Sequence, residues 1–191
     1  VPNTIKTECR APNGFGFPVN NVVTYTFPGT KYTTDEFEWV WYDGPGAPDA
    51  DSEELKLPNG DVLPEQGALF IGTEGTLLLP HFMQLPKKIV DGAYVDITTE
   101  IAAVEKEQNM AEPVRDYGSE SPKHYHQFVD ACLGEDECTA PFDYSARLTE
   151  TILLGVIAAR FPGETLHWDN ATARFREEKA NAFLDSPYRV F

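Results

Sequence analysis

The spacing of hydrophobic residues along the chain changes partway from a period of two to a period near 3.6. In residues 22–27 the larger side chains Val23, Tyr25 and Phe27 occupy every second position, whereas beyond Ser121 apolar residues recur every three or four positions. The first pattern is typical of a pleated strand, and the second is typical of a helix with one apolar side. Strands followed by helices predict an α+β fold, with a largely antiparallel, open-faced sheet and helices packed on one face.

Short alternating or apolar segments predict the strands. They lie at residues 5–9, 22–27, 37–42, 68–71, 76–79 and 165–168. Gly72 and Gly75 flank two polar residues between the fourth and fifth of these segments, so we expect a tight hairpin there. The segment 43–64 is a long Pro-, Gly- and acid-rich connection, of the kind that is functional or mobile in compact domains.

Two helices are predicted in the later part of the chain, at residues 121–134 and 144–160. Ser121 can cap the first helix, Pro122 suits a first helical position, and Gly134 suits its end. The expected apolar stripe of this helix consists of Tyr125, Phe128, Val129, Cys132 and Leu133.

The second helix is predicted to be buried. Its expected apolar side consists of Leu148, Ile152, Val156 and Ala159, widened by Leu153, Leu154 and Ile157. Residues 181–184 suggest a last helical turn. No structure is assigned to residues 86–117, apart from a possible short helix at 101–110.

Length and charge limit the class of protein. A chain of 191 residues is long enough for one domain with a substantial core and short for two, so residues 1–191 are expected to form a single domain. The net charge of −16 disfavours binding to nucleic acid or to anionic membrane surfaces. The longest apolar run is about half the length of a spanning helix. Cys132 and Cys138 could bridge across a turn, but free thiols are favoured.

A self-contained active site is not found in the sequence. No G-x-G-x-x-G or G-K-[ST] pattern opens a helix, so no cofactor-binding residues are predicted. His124 and His126 lie two positions apart on a predicted helix and point in opposite directions, so no metal site is expected. The row Phe37, Trp39 and Trp41 could stack on a sugar ring, but its favoured interpretation is sheet core.

The order of several short blocks resembles the bacterial-type C-terminal domain of the Gfo/Idh/MocA oxidoreductases. The blocks are Trp41-Tyr42-Asp43-Gly44, Gly67 to Gly75, His126 to Gly134, Phe142-Asp143-Tyr144-Ser145, Leu148-Thr149-Glu150, Leu153 to Ala158, Leu166-His167-Trp168-Asp169 and Tyr188-Arg189. A single block is not specific to the family. The resemblance rests on the order of the blocks, from about residue 20 to the end of the chain.

The resemblance implies a domain that shapes a substrate pocket and an oligomer interface. In that family an N-terminal Rossmann domain binds NAD or NADP, and hydride transfer occurs at a hydroxyl-bearing carbon of a sugar or cyclitol. The expected partners are that Rossmann domain of the same protein, a sugar-like small molecule and further copies of the chain. The family's Glu-Lys-Pro segment and its Asp-x-x-x-His motif have no match here, so no catalytic residue is assigned and the chain alone is predicted to be inactive.

Three residues are candidates for substrate binding by position. The family brings polar side chains toward its pocket in the segment that leads into the first long helix, which indicates Arg115, His124 and Tyr125. The alternative interpretations are an exposed loop cation for Arg115, a surface or capping histidine for His124 and a packing role for Tyr125. The alternative function is a non-catalytic carbohydrate-binding or assembly module.

Overall fold

The computed structural model describes residues 1–13, 15–44, 48, 55–81, 84–107 and 116–185. The strands of these ranges are β1 Thr4–Glu8, β2 Asn21–Pro28, β3 Glu36–Asp43, β4 Gly67–Gly72, β5 Gly75–Pro80, β6 Lys87–Val90, β7 Ala93–Val95, β8 Thr165–Asp169 and β9 Arg174–Phe175. The α-helices are α1 Thr98–Glu107, α2 Tyr117–Leu133, α3 Phe142–Ala158 and α4 Glu178–Asn181. The mixture of sheet and helix confirms the α+β class.

The chain divides into two compact units. Unit 1 contains Val1–Pro48 and Thr139–Phe191, and unit 2 contains Asp49–Cys138. In the sequence, unit 2 is therefore inserted between β3 and α3, and its first boundary lies in the Pro-, Gly- and acid-rich connection. Each unit has its own antiparallel sheet where the sequence predicted one. A single domain over residues 1–191 stays a prediction.

The sheet of unit 1 has the strand order β3-β2-β1-β8-β9 with antiparallel neighbours throughout. Ile5 lies opposite Tyr25 on one side and opposite Leu166 on the other. Residues directly opposite each other on neighbouring strands point to the same side of a sheet, so these three residues share one face, which we call the core face. The opposite face, which we call the open face, carries Thr4, Thr24, Val40 and His167, all of them partly exposed.

The core of unit 1 lies between the core face and the two helices α3 and α4. Its buried residues are Ile5, Val23, Tyr25, Leu154, Ala158, Leu166, Trp168, Phe175 and Ala180. The alternation predicted for β2 is confirmed, since Val23 and Tyr25 are buried and their neighbours along the strand are only partly buried. At typical transfer free energies, each large apolar side chain buried in this way contributes about 1.5–3 kcal/mol.

Helix α3 buries a different side from the predicted one. Its buried residues are Thr151, Leu154, Gly155 and Ala158, whereas Leu148, Ile152 and Leu153 are 43–54% exposed. The reason is close packing: a Cβ on Gly155 would lie 2.0 Å from the Tyr25 hydroxyl. The absence of a side chain at Gly155 makes room for Tyr25 and Val23 of β2, and Leu148, Ile152 and Leu153 then lie on the exposed side of the helix. The prediction of a buried helix therefore holds for one side only: Leu154 and Ala159 of the predicted apolar side are buried, whereas Leu148, Ile152 and Leu153 are not.

The sheet of unit 2 is a meander with the order β4-β5-β6-β7. Gly72 pairs with Gly75, which confirms the tight hairpin between β4 and β5. A second hairpin joins β6 to β7 through Asp91 and Gly92, both at positive φ (50° and 73°). An Asp-Gly pair is a strong hairpin signal. This hairpin lies within residues 86–117, where the sequence analysis suggests only a short helix at 101–110. Strand β7 ends the hairpin, and α1 Thr98–Glu107 overlaps the suggested helix.

Helix α2 begins earlier than predicted. Asp116 caps it through a hydrogen bond from the Gly118 N–H, and Pro122 lies inside the helix instead of at its first position. Gly134 ends the helix in the left-handed conformation (φ 78°), as predicted. The predicted apolar stripe is present, but Tyr125, Phe128, Val129 and Leu133 are 48–68% exposed.

Cys9, Cys132 and Cys138 are free thiols, the alternative that the sequence favoured.

Among the helices of the described ranges, none is both long and apolar enough to cross a membrane.

Replacing Gly155 by alanine should lower the free energy of unfolding by about 1–3 kcal/mol, because the new methyl group overlaps the buried Tyr25 side chain. This loss should exceed the gain of up to about 1 kcal/mol that alanine gives in a helix interior. The measurement is denaturant unfolding followed by circular dichroism.

Gly118→Ala is the matched control for this prediction. It is also a helical glycine, and a Cβ there would meet only the Asp116 carboxylate at 3.4 Å. We expect its stability to stay the same or to rise slightly. A Gly155→Ala protein as stable as the parent would contradict the close packing of α3 on β2.

Candidate functional site

Of the three residues predicted to bind substrate, the structure describes His124 and Tyr125. Arg115 lies outside the described residues. His124 and Tyr125 are exposed on α2, with their rings in edge contact at 5.7 Å between centroids. Tyr125 is 68% exposed, so the packing role considered for it is not seen. Neither residue lines either of the two cavities described below, and their role in substrate binding stays a prediction.

The best-ordered polar arrangement of unit 1 lies on the open face, where β8 carries His167. Glu177 follows β9 and accepts two hydrogen bonds from His167. One comes from the backbone N–H at 2.8 Å, and the other joins Oε1 to the ring Nδ1 at 2.7 Å. The arrangement forms because the short β8–β9 turn brings residue 177 back beside residue 167. The carboxylate holds the imidazole in one orientation and directs Nε2 away from the pair.

The hydrogen bonds also set the charge of the pair. Burial raises the pKa of Glu177, but the hydrogen bonds from the backbone and ring of His167 outweigh it and hold that pKa below its ordinary value. Glu177 is therefore ionised at neutral pH. The His167 side chain is 44% exposed. The pair therefore presents an oriented, partly exposed imidazole beside an ionised carboxylate.

The strand that carries His167 is tied to α3 by its next residue. The indole N–H of Trp168 donates to Glu150 Oε1 at 3.1 Å, and Arg147 donates to Glu150 Oε2 at 3.0 Å. Arg147 also donates to the side-chain Oδ1 of Asn170 at 3.3 Å. On the β9 side of the hairpin, the side-chain amide of Asn181 accepts a hydrogen bond from the Phe175 N–H and donates one to the Phe175 backbone carbonyl. These contacts fix the β8–β9 hairpin and hence the position of His167.

The aromatic row of β3 divides between core and surface. Trp39 stacks on Tyr25 with ring centroids 4.9 Å apart and packs against the core. Phe37 and Trp41 are 37% and 47% exposed. A shallow cavity of about 320 Å³ opens beside Phe37, next to Val1 and Phe27. The favoured interpretation as sheet core therefore fits Trp39, and the outer two rings are accessible.

Unit 2 has a cavity of about 400 Å³ between its sheet and the segment that precedes β4. Leu57, Asp61 and Val62 line it from that segment, and Leu78, Lys87 and Tyr94 line it from the sheet. The Tyr94 hydroxyl donates to Asp61 Oδ2 at 2.7 Å, which ties the segment to β7. Burial, followed by this hydrogen bond and the charge of Asp61, raises the pKa of Tyr94 to about 12, so the phenol stays protonated.

Within the described ranges, no three or more His, Cys, Asp or Glu side chains form a group that could hold a metal ion. No protein-family model matches this chain, and neither does any curated protein compared with it.

The sequence carried little signal for either polar arrangement. The sequence analysis names His167 only within the block Leu166-His167-Trp168-Asp169 and assigns it no role, because its partner Glu177 lies ten residues away across β9, a short strand that the sequence does not predict. Asp61 and Tyr94 are 33 residues apart. Recognising Asp91-Gly92 as a hairpin would have placed Tyr94 on a strand, but no local pattern connects Tyr94 to Asp61.

Replacing Glu177 by glutamine should lower the free energy of unfolding at neutral pH by about 1 kcal/mol, because hydrogen bonds to an ionised carboxylate are lost. The pKa of Glu177 is lowered in the folded state, so its contribution is present above the ordinary value of 4.5 and is lost as pH falls through the lower folded value. The difference between the two proteins should therefore shrink in acid. Urea unfolding from about pH 7 to about pH 3 measures it.

Glu178→Gln is the control, because this neighbouring side chain is exposed and makes no contact with His167. A Glu177→Gln deficit that stayed constant over the acid range would show that the His167 contacts do not depend on the charge of Glu177.

Proposed function

We propose that the chain is the substrate-side and oligomerisation domain of an NAD(P)-dependent oxidoreductase of the Gfo/Idh/MocA type, acting on a sugar or cyclitol hydroxyl. The observation that supports this most is the open face of the unit 1 sheet, which combines an oriented His167 with small hydroxyl-bearing side chains. One face of the sheet holds the core, and the other is available for a substrate or a second copy.

The reaction defines what such a domain contributes. Oxidation of a hydroxyl-bearing carbon passes a hydride to the nicotinamide and releases the hydroxyl proton, and the cofactor supplies the redox chemistry. Every strand pair among the described residues is antiparallel, so a dinucleotide-binding βαβ unit is not found in that part of the chain. In the proposal the cofactor is held by a Rossmann domain. This chain orients the substrate through polar side chains. The described candidates predicted from the sequence are His124 and Tyr125, both in unit 2. In unit 1, the separate candidate is His167.

The oligomerisation part of the proposal is supported by exposed apolar surface. Helix α3 presents Leu148, Ile152 and Leu153, and helix α2 presents the stripe defined above. Large exposed apolar groups on neighbouring helical turns are unusual on a monomer surface and favour contact with another domain or another copy.

A second candidate is a carbohydrate-binding or assembly module without redox chemistry. The exposed rings of Phe37 and Trp41 favour it, because flat aromatic surfaces stack on the C–H faces of sugars. Calorimetry of the chain with sugars and with NADH separates the two candidates. Sugar binding alone, abolished by Trp41→Ala, supports the module. The oxidoreductase proposal requires a G-x-G-x-x-G domain encoded upstream in the same gene, and a gene without one would remove it.

Replacing Thr24 by lysine should weaken self-association of the chain about tenfold or more, because Thr24 lies between Lys6 and Val40 at the centre of the open face and a buried charge opposes contact. Sedimentation velocity over a concentration series measures this. Thr73→Lys adds the same charge in the exposed β4–β5 turn and should leave association unchanged. A parent chain that stays monomeric at every concentration would contradict the oligomer proposal.

A further inference from the structure

The cavity of unit 2 has a built polar wall and an apolar wall. The polar wall consists of Asp61, Lys87 and Tyr94, and the apolar wall includes Leu57, Pro64 and Leu78. Leu78 is 3% exposed, so the base of the cavity belongs to the small core of this unit, and Val62 is 84% exposed at its mouth. The cavity therefore has a fixed floor and an open entrance.

The two charges on the polar wall are held apart. Asp61 accepts the Tyr94 hydroxyl, which fixes its carboxylate on β7. The Lys87 ammonium lies 5.5 Å from the centroid of the Tyr94 ring. Among the described residues, Lys87 forms no ion pair with a carboxylate within 4.0 Å. Tyr94 thus stands between an anion and a cation that do not neutralise each other directly.

We propose that this cavity binds a zwitterionic α-amino acid with an apolar side chain. The ligand's ammonium group pairs with Asp61, its carboxylate pairs with Lys87, and its side chain lies against Leu57 and Pro64. Opposite charges on the two sides of Tyr94 match a molecule that carries both charges, and charge-assisted hydrogen bonds to each end supply the specificity.

Charge and size both favour this class of ligand. The chain's net charge of −16 opposes the approach of an anion such as a sugar acid or a phosphate, whereas a zwitterion has no net charge. A volume of about 400 Å³ is within the range of small-molecule sites. A neutral sugar would leave both charges without an ionic partner. The site does not depend on the proposed oxidoreductase function, since neither His124 nor Tyr125 lines this cavity and His167 lies in unit 1.

The test is calorimetric titration of the complete 191-residue chain with L-leucine. Because the cavity is open, we expect a Kd of about 1 mM. N-acetyl-L-leucine lacks the ammonium group and L-leucinamide lacks the carboxylate, and each should bind at least about tenfold more weakly. Glucose should not compete. These comparisons use the unaltered protein and do not depend on how well a variant folds.

Two variants assign the charges to their residues. Asp61→Asn and Lys87→Gln should each weaken L-leucine binding by about tenfold or more. Lys31→Gln is the matched control, because the Lys31 ammonium also lies over a tyrosine ring, that of Tyr32 at 4.6 Å, but in unit 1. It should bind L-leucine as the parent does. The proposal is overturned if no heat is observed at about 10 mM L-leucine, if the capped ligands bind equally well, or if glucose displaces L-leucine.

Discussion

Helix α3 packs closely over β1 and meets the side chains of Tyr25 and Val23 from β2 at Gly155, and the rest of unit 1 is built around this contact. Gly155 faces Tyr25 and Val23, and Ala158 is fully buried beside them. The helix then covers the core face of β1 and β2, while Trp168 reaches it from β8 through Glu150. Close packing of this kind gives a well-defined interior, since protein cores tolerate little overlap. It also turns the leucine side of α3 outward.

The same packing leaves polar chemistry on the opposite face of the sheet. Because strands alternate their side chains, the residues that fill the core fix which residues face outward, and His167 is one of these. Glu177 then holds the imidazole through both its backbone and its ring. A carboxylate that accepts two such bonds is held in one position, so this face carries an oriented imidazole–carboxylate pair beside the Lys6–Glu8 ion pair. That property suits either a substrate surface or a contact between copies.

Unit 2 has a much smaller buried core than unit 1. Leu78 and Ile89 are the apolar side chains with the least exposure in its sheet, and α1 has no buried residue. A side-chain hydrogen bond from Tyr94 to Asp61 ties the segment that precedes β4 to the sheet. The core of this unit is small, and a cavity lies between that segment and the sheet.

The sequence by itself determined the elements whose signals are local. Alternation placed β2 and β3, the glycines of the β4–β5 turn placed a hairpin, and Gly134 placed the end of α2; together these gave the α+β class. Tertiary structure alone decided which side of α3 is buried, because Gly155 reads as an ordinary helix position until Tyr25 lies opposite it. It also decided which polar residues meet. His167 with Glu177, and Asp61 with Tyr94, are joined by chain reversals and not by sequence spacing, and such contacts leave no periodic trace in the chain.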